Sequence, residues 1–298
     1  MIATRHPLLS RLVRHAGRIA LTVVLGGLLG ATLIRVAPGF GVDEAELDSR
    51  LSSQSIAALR ASQPGSDSAA SFYWNYLSRL VHGDLGISRS LQQPVAELLL
   101  ERTPETAKSV ALGLLLSWLL GLSLAAAVAM SRSWGVDLFA SLLGGTLLCL
   151  PAAVLALLFL IARMPGRLVL ALVVFPNIFR YTRNLLLRSA ASPHVLTARA
   201  KGLGDFAVFF WHILRPAAPQ LLALAGVSVS IAFTASIPVE ALCDLPGLGQ
   251  LAWKAALSRD LYLLVTLTMI VAVVTLGANS IADLLGHALS DHTSEVPA

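Results

Sequence analysis

The chain has 298 residues, 56% of them hydrophobic and only 13% charged, with a net charge of +5. A soluble domain carries about twice that charged fraction. The apolar residues also come in long blocks, which excludes a large soluble core in favour of an integral membrane protein. The Lys and Arg excess forms no extended patch with interleaved aromatics, so a nucleic-acid surface is excluded too.

A spanning helix needs about 20 mostly apolar residues. The first candidate is residues 17–36, preceded by Arg5, Arg11 and Arg14 and opening on Gly17-Arg18. Its apolar run is longer than the roughly 7–15 residues of a secretory signal core and no small-x-small cleavage site follows, so the expectation is an uncleaved span. Residues 37–106 hold nine acids against five Arg and read as an outer segment of amphipathic helical pieces broken at Pro64-Gly65. The second span is expected at 107–130, the third at 136–162 and the fourth at 168–187, the last interrupted by Pro176, Asn177, Arg180 and Arg183. The fifth is expected at 217–239 and the sixth at 261–285. The resulting organisation is a cytoplasmic N-terminus and first span (1–36), an outer segment (37–106), a five-helix core (107–290) and a tail (291–298).

Orientation follows from the basic residues. The stretch 181–216 holds Arg183, Arg188, Arg199, Lys201 and Arg215 against one acid, Asp205. It and the Arg-rich N-terminus belong in the cytoplasm, with four crossings between them. With six spans, both termini are then cytoplasmic. The weak point is the connector Arg163-Met164-Pro165-Gly166-Arg167, which places two Arg on the expected outer side.

Catalytic and metal signatures are missing. The sequence has no phosphate-binding Gly-x-x-x-x-Gly-Lys-[Ser/Thr], no His-Glu-x-x-His and no Gly-x-Ser-x-Gly, the devices by which a chain cradles nucleotide phosphates, binds a hydrolytic metal or presents a serine nucleophile. Cys149 and Cys243 lack metal-ligand spacing and read as small packing residues. No catalytic residue and no metal site are assigned.

Polar residues inside spans are costly and often line pathways. In the fifth span Ser228, Ser230, Thr234 and Ser236 alternate, and in the sixth Asn279 and Asp283 share a face at i and i+4. Ser228, Ser230, Thr234 and Asn279 are therefore candidates for a translocation path, the alternative being helix–helix hydrogen bonding. The connector after the fifth span carries Glu240, a turn at Pro246-Gly247 and further backbone freedom at Gly249, followed by apolar residues at helical spacing (Leu248, Leu251, Ala252, Ala255, Ala256). A short surface helix and an ordinary ordered loop fit this spacing equally.

The remaining feature is the segment 192–219, "SPHVLTARAKGLGDFAVFFWHILRPAAP". Ser192-Pro193 starts a short helix, and Gly202 and Gly204 end it. A second helix follows, with Phe206, Phe209 and Phe210 placed on one face. Periodicity leaves partner docking and membrane-surface binding open for this hairpin.

"TARAKGL" followed by "HILRPAAP" resembles the EAA loop of bacterial ABC-importer permeases, in the dipeptide, oligopeptide and nickel branch of the binding-protein-dependent inner-membrane components. Residues 82–112, the segment "PVEALCDLPGLGQLAWKAALSRDLYLL" and the end "ANSIADLLGHALSD" resemble other parts of that family in the same order. The resemblance implies an all-α permease of the type I importer architecture, with six spans and a cytoplasmic coupling helix. Thr197, Ala198, Arg199, Ala200, Lys201, Gly202, Leu203, Gly204 and Asp205 would form the loop, at about 188–216, that docks on a separate ATPase. It further implies a second permease subunit, two ATPase subunits holding ATP and Mg, an extracytoplasmic solute-binding protein and the bacterial inner membrane. The cargo would be a peptide or a similar small solute, nickel included. The chain departs from the family in its short connector between spans three and four, in "DFAVFFW" after the Gly turn, in Pro216 and in its ending "SDHTSEV". Two rival readings are a self-contained secondary transporter or channel and a divergent, transport-inactive permease homologue.

Overall fold

The computed structural model describes residues 7–36, 69–131 and 133–294. Arg5, the Pro64-Gly65 break and the end of the tail, 295–298, lie outside the described residues. Ten helices occur among the described residues, and no strand. They are α1 (Pro7–Val36), α2 (Ala69–Val81), α3 (Val95–Ser131), α4 (Trp134–Cys149), α5 (Ala152–Ile161), α6 (Arg167–Ala190), α7 (Pro193–Ala200), α8 (Asp205–Leu242), α9 (Leu248–Leu257) and α10 (Leu261–Ser294). The chain divides into two compact units, Met1–Glu101 with Lys254–Val273, and Arg102–Trp253 with Val274–Ala298.

In the first unit α1 and α2 pack together. The Tyr73 hydroxyl donates to the Val24 carbonyl at 2.7 Å, and its ring sits where a side chain at Gly27 would have to go. Gly83, in the left-handed region at φ +79°, closes α2 with the paired bonds of a Schellman end, Asp84 N to Arg79 O at 3.0 Å and Gly83 N to Leu80 O at 2.9 Å. The loop that follows is held by Asp260. One carboxylate oxygen accepts from Ser88 Oγ at 2.6 Å, Ser90 N at 3.0 Å and Ser90 Oγ at 3.1 Å. The other caps α10 by accepting from Leu263 N at 3.3 Å.

The second unit is organised around α6, which packs against α8, α4 and α5. Val169, Leu170, Val174, Ile178 and Leu186 are fully buried, and Pro176 lies inside the helix without ending it. Against α6, α3 presents Gly113, Ser117 and Gly121, small residues four apart that allow close backbone approach. A Cβ at Gly113 would lie 2.7 Å from Leu170 Cβ, while the Ser117 hydroxyl donates to the Ala171 carbonyl at 2.9 Å.

Among the described residues three helices are long and apolar enough to cross a membrane, Val95–Ser131, Asp205–Leu242 and Leu261–Gly286. A fourth is added if α4 and α5 together make one span, but these two are bent by 94°. The expected third span at 136–162 is thus broken. The cause is Pro151, which has no N–H and pushes the residue before it out of the helical region; Leu150 is extended at φ −88°, ψ 118°. α6 is long enough, but carries Arg167, Arg180, Arg183 and Arg188. α10 runs on to Ser294, past the expected start of the tail.

The α3–α6 contact gives a direct test. A Cβ at Gly121 would lie 2.8 Å from Ile178 Cγ2 and 3.2 Å from Phe179 N. Gly121→Leu is expected to cost about 1–3 kcal/mol by overpacking, read as a lower Tm of the detergent-solubilised chain. Gly145→Leu, where a Cβ meets nothing within 4 Å, should leave the Tm unchanged.

Candidate functional site

Two places bring together the residues singled out in the sequence. The first is the turn from α7 into α8. Ser192 stands at the N-cap of α7 and Pro193 at its first position, where the missing N–H costs nothing. Gly202 ends it at φ +79°. Leu203 N donates to Ala198 O at 3.3 Å and Gly202 N to Arg199 O at 2.9 Å, the two bonds of a Schellman motif that only a left-handed residue permits cheaply. Asp205 then opens α8, a favourable place for a negative charge.

Val195 and Ala198 are buried in one cluster with Val208, Phe209 and Ile213, so α7 is anchored on the start of α8. Thr197, Ala200, Lys201, Gly202, Leu203, Gly204 and Asp205 are exposed, while Arg199 is half-buried and its Nε lacks a partner. The expected common face of Phe206, Phe209 and Phe210 does not form. Phe206 and Phe210 are 71% and 56% exposed, but Phe209 is 5% exposed. The reason is that residues 208–214 wind as a π-helix, whose wider turn changes which residues share a side and leaves carbonyls without their usual donors. Ser189 Oγ donates to Ile213 O at 3.0 Å, and His194 Nε2 lies 2.9 Å from His212 O. Sequence periodicity could not find these two, because the pattern it assumes is the α-helical one.

The second place is the start of α9. Glu240 is fully buried at the end of α8. Its Oε2 accepts from Gly249 N at 2.7 Å and Gln250 N at 3.4 Å, and Thr106 Oγ1 accepts from Leu248 N at 2.7 Å. Three first-turn N–H groups of α9, which no helix can satisfy internally, are therefore taken up by two side chains, one of them a carboxylate suited to the positive end of the helix dipole. Gly247 and Gly249 are buried here. A Cβ at Gly247 would lie 2.2 Å from Glu240 Oε2 and 2.5 Å from Thr106 Oγ1, and one at Gly249 would lie 2.7 Å from Ser236 O. Pro246 is exposed beside them. Glu240, Gly247 and Gly249 thus form one clasp. Thr106 joins it from 142 residues away, a distance at which local sequence carries no signal.

The polar residues of the fifth and sixth spans are dispersed. Ser228 is buried, donates to Ala225 O at 2.8 Å and accepts from Trp118 Nε1 at 3.1 Å. Thr234 is exposed and donates to Ser230 O at 2.9 Å. Asn279 is half-buried, and its Cα would lie 2.9 Å from a Cβ at Gly226. Among the described residues no group of three or more His, Cys, Asp or Glu could hold a metal ion.

Residues 117–294 match the family described as the binding-protein-dependent transport system inner membrane component. The chain belongs to this family. As a permease it is similar to the oligopeptide transport system permease protein OppB of Salmonella typhimurium, 29% identical over 276 residues that cover 85% of this chain and 89% of that one. OppB of Escherichia coli K12 is 28% identical over the same shares. A putative peptide transport system permease protein of Brucella abortus is 28% identical over 76% of this chain and 79% of its own length. The permease is the membrane subunit of an ABC importer, and the expectation of a self-contained transporter or channel gives way to that.

The clasp makes a specific prediction. Gly247→Ala should force Glu240 or Thr106 off the start of α9 and lower the Tm by an overpacking cost of about 1–3 kcal/mol. Hydrogen exchange at Gly249 and Gln250 should quicken at least tenfold in the variant; native exchange rates at both amides would refute the clasp.

Proposed function

We propose that this permease forms half of a peptide path through the bacterial inner membrane and is driven through the turn at residues 197–205 by separate ATPase subunits. In this reading it pairs with a second permease, alike or different, and the pair works with two ATPase subunits and an extracytoplasmic solute-binding protein. ATP and Mg are held by the ATPases and none by this chain. Six spans, with α1, the broken α4–α5 pair and α6 each crossing once, place both termini and the α7 turn in the cytoplasm. Peptide as cargo is supported by the relatives, whose names specify oligopeptide and peptide transport.

The observation that carries the coupling role is the contrast within α7. Val195 and Ala198 are locked into the core, while Thr197, Lys201, Gly202, Leu203 and Asp205 face outward. A surface that is exposed yet rigidly backed can transmit a push; a mobile loop would absorb it. Because α8 continues from this turn, displacement of α7 by a closing ATPase pair would be delivered directly to a spanning helix. Alternation of access would then follow as rocking of helical bundles.

A Cβ at Gly202 meets nothing within 4 Å, so a bulky residue there changes the docking surface and strains the turn without touching the core. Gly202→Trp, or removal of residues 197–205, should abolish co-purification of the ATPase subunits while the permease remains in the membrane at native level. Undiminished ATPase recovery in both variants would sink the coupling reading.

A further inference from the structure

Between α4 and α6 lies a cavity of about 330 Å³, within the size range of small-ligand sites. Ser141, Gly144, Gly145, Arg180, Arg183 and Asn184 contribute to its wall. It sits toward the end of α6 that leads into α7. Arg180 is nonetheless well inside the helix, at about 12 Å of helical rise before Arg188. A cavity into which a few polar groups converge is a candidate binding site.

The two arginines are not equivalent. Arg183 is committed, since its Nε and Nη2 both bond to the Asp137 carboxylate and its Nη1 donates to Asn184 Oδ1 at 2.9 Å. Its charge is cancelled and its side chain held. Arg180 has no ion pair or hydrogen bond to any other described residue, and its guanidinium is exposed in the cavity wall. The α4 side of the wall carries Ser141 and Leu148 and, between them, the side-chain-free Gly144 and Gly145. A Cβ at Gly145 would meet nothing within 4 Å. The cavity therefore has one uncompensated, planar, five-donor cation in its wall.

We propose that Arg180 is a carboxylate-binding residue of the translocation path, taking the C-terminal carboxylate of a short peptide on the coupling-loop side of the membrane. This rests on the peptide reading of the cargo above. A path that accepts many peptide sequences can recognise only what they share, and the free carboxylate is the shared anion. Guanidinium is the group that meets it with two parallel hydrogen bonds. The cancelled Arg183–Asp137 pair leaves a net positive cavity that repels the N-terminal ammonium, so the peptide's polarity is read as well. Arg183 is a positioning residue, fixing the α4–α6 spacing that opens the cavity.

The test is uptake of labelled di- to pentapeptides by proteoliposomes containing the complete importer and its binding protein, with Arg180→Gln, Arg180→Lys and Gly145→Phe permeases. All variants face the same binding protein, so its own selectivity cancels. Arg180→Gln and Gly145→Phe should each lower peptide uptake at least tenfold, and Arg180→Lys, which keeps the charge but not the two-donor fork, should restore it only in part. Both permeases and both ATPases should co-purify in every case. Native uptake by Arg180→Gln would overturn the site. So would a loss accompanied by failure to co-purify, which would make the guanidinium a subunit contact. Uptake that depends on anionic lipid in wild type but not in Arg180→Gln would assign the guanidinium to a lipid phosphate and overturn the site as well. An unmodified importer that carries no peptide at all would instead bring down the cargo reading.

Discussion

Backbone N–H and C=O groups that a helix leaves unpaired must find partners within the protein wherever packing keeps water from them. This constraint explains where the polar side chains of this permease stand. Helices of such length pair their own interiors, so the demand is concentrated at starts and irregularities. Asp260 meets it at the start of α10, and Glu240 with Thr106 meets it at the start of α9. Ser189 and His194 meet it along the π-helical stretch. Several of these side chains are buried, and each is spent on a backbone group. In a chain with only 13% charged residues, few polar groups are left over, which is why those that remain uncommitted stand out.

The same scarcity shapes the packing. Between helices in lipid there is little hydrophobic drive, so association depends on close approach and on shape. α3 supplies Gly113, Ser117 and Gly121 for this purpose against α6. α6 can then carry Arg180 and Arg183 because Leu170, Val174 and Ile178, away from the arginines, are fully buried. The charges are displaced to one side of a helix whose stability comes from the other.

Local patterns made much of this legible in the sequence. The Ser192-Pro193 start and the Gly202 stop of α7 are properties of single residues, read without knowing the fold. The turn at Pro246-Gly247 is equally local, although the apolar spacing after it leaves a short helix and an ordered loop both open, and it is the structure that shows α9. What escaped depends on the third dimension or on departure from α-helical winding. Leu248 and Thr106 meet only because the start of α9 lies beside the body of α3 in space. Phe209 turns inward because the helix widens between Val208 and Leu214, and a face drawn at 100° per residue puts it with Phe206. The bend at Pro151 lies between these cases. The proline was visible, but prolines inside spans are tolerated when neighbours allow it, as Pro176 is within α6. The difference is that α6 is enclosed by packing, whereas Leu157, Leu158, Leu160 and Ile161 of α5 are exposed.

α8 links the two candidate sites physically. It is one helix of 38 residues, about 57 Å long at ordinary rise, with the Gly204 turn at its start and Glu240 near its end. On the coupling reading, a force applied at α7 enters this rod at Val208 and Phe209, where α7 is anchored, and leaves it at the clasp on α9. Pro219 and Pro238 lie inside the helix without ending it, so on this reading an axial displacement would reach the start of α9 through the Glu240 contact, without passing through a loop. The π-helical stretch lies where the rod meets the lever, and its hydrogen bonds are borrowed from Ser189 and His194 in place of the regular ladder. That is where the rod can change its winding at least cost, and a change there would rotate everything beyond it, Ser228 and Glu240 included. On this reading, a shaft whose deformable turn lies at the driven end would convert a push on α7 into rotation at the clasp.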